Sequence, residues 1–238
     1  MTPDLAPGFR RRFRVIPGRE AVRAEVEDDF HCMRVSVHHS DGVATRIEAL
    51  MERAPWTTCP GAVRRLQETF TGVALADFAA RGEKRENCTH LHDLATLAAA
   101  HAFDATPLVY DVVASDPVDG RNEALLRRNG ETLLHWMLEG GVVTQPQEIA
   151  GLTLDKLGRW IAALPAPLQE AARVLRWGAL IAHGRRIPLE RQSDATLMPV
   201  GNCYTFQPDR RTAARRIGEI RDFSRGSAQP LEPRQAAS

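Results

Sequence analysis

Lysine is nearly missing from these 238 residues. Lys84 and Lys156 are the only two, and arginine carries the rest of the positive charge. We read this as a GC-rich coding bias and not as a function. Net charge is equally scarce: the formal total is +1, so no global field draws the chain toward nucleic acid or an anionic membrane. No apolar run approaches the ~20 residues that a membrane-spanning helix needs. Residues 1–14 hold arginines but no apolar stretch of the kind a secretory signal contains. Four cysteines are too few for a disulfide scaffold. A reducing cytoplasm is therefore the expectation, where a conspicuous thiol is more often a ligand or a nucleophile than half of a crosslink. No GxGxxG, Walker loop, nucleophile elbow or HExxH is present, so nucleotide binding and the common hydrolase chemistries have no motif support.

What is present describes an ordinary globular chain, 43% hydrophobic and 26% charged, able to bury a core. Residues 1–19 read as an N-terminal arm with a short edge strand at 13–16. Period-two alternation over 20–52, broken by Ser40-Asp41-Gly42, predicts an antiparallel meander. Helices follow from Pro60 to Gly72, Leu75 to Ala80, and Cys88 to about Phe103 with Asn87 as cap. Strands return at 106–114, 121–127 and 131–138, with Asp119-Gly120 and Asn129-Gly130 as turns. After Gly140-Gly141 the chain reads as helical, over Leu154–Leu164 and Pro167–His183. The expected fold is α+β, an antiparallel sheet covered by helices, in a single domain over 20–186. Residues 187–238 read as an irregular segment, a basic helix from Asp209 to Asp222, and a disordered tail from Ser224.

The stretch with the densest chemistry is Asn87-Cys88-Thr89-His90-Leu91-His92-Asp93-Leu94, running on to His101. A thiol at a helix N-terminus has its pKa lowered by the helix dipole and by unused N–H groups. Cys88 holds such a position, and Cys59 in Pro55-Trp56-Thr57-Thr58-Cys59-Pro60 opens the preceding helix in the same way. Asp29 and His31, two apart on an expected strand, would share a sheet face. Thiolate, imidazole and carboxylate together suit Zn²⁺ or iron. The expected metal ligands are Asp29, His31, Cys59 and Cys88, with His90 and His92 as further ligands or near neighbours. Cys32 and Cys203 read as inert, and Trp136, Trp160 and Trp177 as core.

Two resemblances bear on these motifs. Asp28-Asp29-Phe30-His31, Pro55 to Pro60 and Asn87-Cys88-Thr89-His90-Leu91 resemble an uncharacterised bacterial family, a domain of unknown function, over about Arg14 to Arg185. Residues 29–102 also resemble the NifU-type iron–sulfur cluster assembly scaffold. There, a Cys-x-Asp pair, a hairpin, a helix opened by Gly-Cys and another opened by Cys-Ser-x-Leu follow in order. Here Asp29-Phe30-His31 stands at the first motif, Cys59 at the second and Cys88-Thr89-His90-Leu91 at the third. The carboxylate in place of the first thiol makes the implied ligand set harder, favouring Zn²⁺ or mononuclear iron over a labile cluster.

Three readings of function stay open. The first is a cytoplasmic metal-binding protein. The second is a small-molecule enzyme that uses Cys88 as nucleophile, with His90 or His92 as base, or a metal-bound water. The third is an interaction module whose thiols are simply buried. A small molecule or a protein is the expected partner, and a membrane is not. The Arg210, Arg211, Arg215 and Arg216 cluster is diluted by Asp209, Glu219 and Asp222 and lacks interleaved aromatics, which argues against nucleic acid.

Overall fold

The computed structural model describes residues 6–187, 193–226 and 228–232. Its fold is α+β: an eight-stranded sheet with strand order β4-β3-β2-β1-β5-β6-β7-β8, together with helices. The strands are β1 (Gly8–Ile16), β2 (Ala21–Glu27), β3 (Cys32–Ser40), β4 (Val43–Arg53), β5 (Leu108–Ser115), β6 (Arg121–Arg128), β7 (Glu131–Glu139) and β8 (Val142–Gln145). The helices are α1 (Ala62–Phe70), α2 (Thr89–Ala100), α3 (Gly158–Ala163), α4 (Ala166–Ala182) and α5 (Pro208–Arg211). Chain contacts divide it into two compact units. The first is drawn from Phe13–Leu108 and Pro188–Arg221, the second from Met1–Arg12, Val109–Ile187 and Asp222–Ser238.

The turn residues explain the hairpins. Asp41-Gly42, Asp119-Gly120, Asn129-Gly130 and Gly140-Gly141 all have two successive positive φ angles. That is the backbone of the tight turn whose twist matches antiparallel strands, and Asn, Asp and Gly tolerate it best. Gly140-Gly141 is therefore a hairpin into β8 and not the end of the sheet. The strand expected at 13–16 is longer and begins at Gly8, and it is not an edge strand, since β1 stands between β2 and β5.

In the first unit, alternate residues of β2 and β3 form the buried face: Val22 pairs with Val37, Ala24 with Val35, and Val26 with Met33. Helices α1 and α2 cover β2, β3 and β4, burying Leu66, Phe70, Leu91, Leu94, Ala95 and Ala98. Each large apolar side chain so buried contributes about 1.5–3 kcal/mol. The alanines of α2 allow its backbone to lie close to the sheet. In the second unit, α4 packs on β6 and β7 with Leu175 and Ala179 buried, and Trp136 meets Trp160 edge-on at 6.3 Å.

Several expected boundaries shift for identifiable reasons. Cys88, extended at ψ 118°, caps α2. Asn87 is instead fully buried, its amide donating to Thr69 Oγ1 at 2.9 Å and to the Glu83 carbonyl at 3.0 Å. The basic helix expected from Asp209 stops at Arg211, because Arg215 and Arg216 pair as extended backbone with Asp194 and Trp56. The tail expected to be disordered from Ser224 is ordered at its start, where the Gly8 N–H donates to the Ser224 carbonyl at 3.2 Å. The rest of that tail, residues 233–238, lies outside the described residues.

Candidate metal centre

The site lies in the first unit at the N-terminal end of α2. The strand run expected across Asp29-Phe30-His31 is a tight loop between β2 and β3, so the same-face argument for that pair does not apply. The Asp28 carboxylate captures the backbone N–H groups of Phe30 at 2.7 Å and His31 at 2.9 Å. An aspartate that bonds the backbone two residues on favours a turn over continued strand. Asp28 also takes the His31 ring: Nδ1 stands 3.0 and 3.2 Å from its two carboxylate oxygens. Against two carboxylate oxygens, Nδ1 carries a hydrogen. Arg53 holds the loop from below, donating to the Asp28 and His31 carbonyls and to Glu27.

The His31 ring stacks on His90 with centroids 3.9 Å apart. His90 is the second residue of α2, two beyond the cap Cys88. His92 points elsewhere. Its ring packs on Phe70 at 5.0 Å, and neither ring nitrogen has a hydrogen-bond partner among the described residues. Burial lowers its pKa to about 4. Of the two histidines flanking Leu91, one faces the loop histidine and the other is embedded in the core.

The Thr205 hydroxyl lies 3.5 Å from the Cys59 sulfur and the Tyr204 N–H donates to the Asn87 carbonyl, so Cys203, which the sequence marked as inert, lies in the neighbourhood of Cys59 and Cys88. Each of Cys88 and Cys203 is close enough to Cys59 that a charge on one sulfur would raise the pKa of the other, and Cys203 acts on Cys88 in the same way. Burial pushes the Cys88 thiol far above the ordinary range, against the pull of the Leu91 and His90 N–H groups. Burial also raises Cys59, opposed by the Thr205 hydroxyl 3.5 Å from its sulfur and by the Arg216 charge. Cys203 is pushed up to about 11 by burial. The helix-end lowering expected for Cys59 and Cys88 is thus outweighed by desolvation. Cys32 stands apart, its thiol donating to Glu52 at 3.6 Å and its pKa raised by burial and by two glutamates to about 12.

Cys203 arrives on a returning segment, 193–221, that is laid against the helix ends. The Tyr204 N–H donates to the Asn87 carbonyl at 2.8 Å, the Thr57 N–H donates to the Arg215 carbonyl at 3.0 Å, and the Arg215 N–H donates to Thr57 Oγ1 at 3.0 Å. Gly61 lies so close to Tyr204 that a Cβ there would stand 2.7 Å from the phenol oxygen. Arg216 lies over Phe30 at 5.6 Å and Trp56 at 5.4 Å, and burial lowers its pKa. The Arg221 N–H donates to the carbonyl of Asp29, whose side chain is fully buried. No short sequence signal points to Cys203. It is 115 residues from Cys88, in a stretch without periodicity.

Among the described residues, no three His, Cys, Asp or Glu side chains are gathered closely enough to hold a metal ion, and no helix is long and apolar enough to cross a membrane. No curated protein matches the chain. Residues 14–104, a stretch that contains Asp28, Asp29, His31, Cys59, Cys88 and His90 but neither Cys203 nor the chain beyond 104, are similar to a family described as a protein of unknown function, DUF2889.

Proposed function

We propose that the first unit is a metal-binding module whose site is the thiol cluster at the α2 N-terminus. Cys59, Cys88 and Cys203 supply sulfur, and His90 or His31 supplies nitrogen. Three thiolates and one imidazole suit Zn²⁺, with mononuclear iron as the alternative. The observation that carries the reading is the convergence of three cysteines from separate segments around one helix end. The Asp28–His31 contact adds to it, since a carboxylate hydrogen-bonded to the ring is the usual outer neighbour of a ligating histidine. The resemblance to the NifU-type scaffold, in which cysteines open successive helices, points the same way. Asp28 is the carboxylate that engages the His31 ring, and Asp29 is not assigned as a ligand.

Binding on this reading draws the side chains together and displaces protons from neutral thiols. A nucleophilic role for Cys88 is disfavoured by its burial and raised pKa, since the thiolate is the reactive form. A cytoplasmic setting, where thiols stay reduced, is the one this module needs. The test is a Zn²⁺ titration of the reduced protein against a chromophoric chelator, with single Cys→Ser variants at all four positions. One ion per chain is expected, with affinity falling by about two orders of magnitude in C59S, C88S and C203S but unchanged in C32S. No binding by the wild type, or equal loss in C32S, favours thiols that are merely packed.

A further inference from the structure

The second unit carries a recess of about 220 Å³ where the last turn of α4 meets the ends of β5 and β7 and the start of β6. Ser115 closes β5, and only 7% of it is exposed. Its Oγ accepts the Glu123 N–H at 2.9 Å, and its own hydrogen has no acceptor among the described residues. Asn122, the second residue of β6, is half-buried, and its side-chain amide makes no hydrogen bond among the described residues. His183 follows α4 and donates from Nδ1 to the Ala179 carbonyl at 3.2 Å. A carbonyl can only accept, so Nδ1 carries the hydrogen, and in the neutral ring Nε2 is an acceptor. Asp116 is the fourth polar side chain, 44% exposed, with Arg185 Nε 3.4 Å from its Oδ1. Arg185 is shared with Asp222, whose Oδ1 is also 3.4 Å away, so Asp116 keeps lone pairs for a further donor. The hairpin glycines Gly140 and Gly141 line the remaining edge and put no side chain into it.

We propose that this recess binds a small neutral polyol, a single sugar ring or a cyclitol. Its polar lining is mixed. Ser115 O–H and the Asn122 N–H groups offer donors, while Asp116, the Asn122 carbonyl oxygen and His183 Nε2 offer acceptors. A hydroxyl group donates and accepts at once, so neighbouring hydroxyls on one ring answer both kinds. An anion is disfavoured, because Asp116 repels it and no lysine or arginine is among the described lining residues. A simple ammonium can only donate, which leaves the buried Ser115 hydrogen without an acceptor. A few placed polar groups in a concave site are the usual means of fixing a ligand's orientation. The volume corresponds to roughly seven waters at ~30 Å³ each, room for one ring.

The experiment is a titration of the isotope-labelled full chain with myo-inositol and with glucose, followed by backbone amide chemical shifts. Glycine betaine and putrescine, at the same concentrations, are the hydroxyl-free comparisons. Saturable shifts with one or both polyols, centred on Ser115, Asn122, Gly141 and His183, are expected, with only linear, scattered shifts from glycine betaine. In N122A the half-saturating concentration should rise about tenfold. If N122A does not fold, H183L takes its place with the same expectation. No saturation by either polyol, saturation by putrescine in their place, or an unchanged midpoint in a folded variant overturns the proposal. Loss of metal binding in the first unit leaves this outcome untouched, so the two readings fail separately.

Discussion

The two units bury charge in different ways. In the first, ionisable groups are enclosed and closely partnered: Glu27 takes both Arg53 at 3.2 Å and Arg221 at 2.7 Å, and Asp28 is fully buried beneath the loop it organises. In the second, the Arg12–Asp111 pair is partly open, its side chains 24% and 21% exposed. Enclosure makes a network rigid and costly to break, because an orphaned partner has no water to turn to. Openness leaves room for a ligand and makes each pair individually weak. The difference separates a region that fixes side-chain geometry from a pair left open to water.

The sharpest way to break the contrast is to remove Asp28. D28A strips acceptors from two backbone N–H groups and the His31 ring, so a loss of about 3–5 kcal/mol is expected in chemical denaturation. A loss below ~1 kcal/mol would mean the loop network is not what holds the first unit. His92 gives the next effect. Its folded pKa, about 4, lies below the ordinary 6.5. Above pH 6.5 the group is neutral in both states and its contribution is complete. Between 6.5 and 4 the unfolded chain takes up a proton that the native state refuses, so stability falls as pH falls. The loss should amount to on the order of 2–3 kcal/mol and should vanish in H92L, measured as urea midpoints at pH 7, 5.5 and 4. T205V, which removes the hydroxyl between Thr58 and Cys59, should cost about 1 kcal/mol. The smallest effect belongs to the second unit: R12Q should change stability by only about 0.5–1 kcal/mol. A change as large as that of D28A would erase the distinction between the units.

Much of the frame was legible because it rests on local rules. Asp41-Gly42 and Asn129-Gly130 specify turns by their own backbone preferences, and the alternation around Val35 and Val37 specifies a half-buried strand. The helix-opening places of Cys59 and Cys88 follow from Pro60 and from the alanine-rich run after Thr89. Three features were hidden. Asp28 bends the chain where spacing suggested a strand, since one side-chain acceptor outcompetes a ladder hydrogen bond. His90 and His92 look equivalent in sequence, yet a helical turn of 100° per residue sends one toward His31 and the other into Phe70. Cys203 acquires its neighbours, and Asn122 comes to line one recess with His183, only through tertiary contacts across long stretches of chain, and no local pattern encodes that.

The most direct test of the thiol cluster is cobalt substitution in the reduced protein, with absorption followed through C59S, C88S, C203S and C32S. Tetrahedral thiolate coordination predicts a sulfur-to-cobalt charge-transfer band that weakens in each of the first three variants and persists in C32S. A wild-type spectrum indistinguishable from cobalt in buffer would contradict the account.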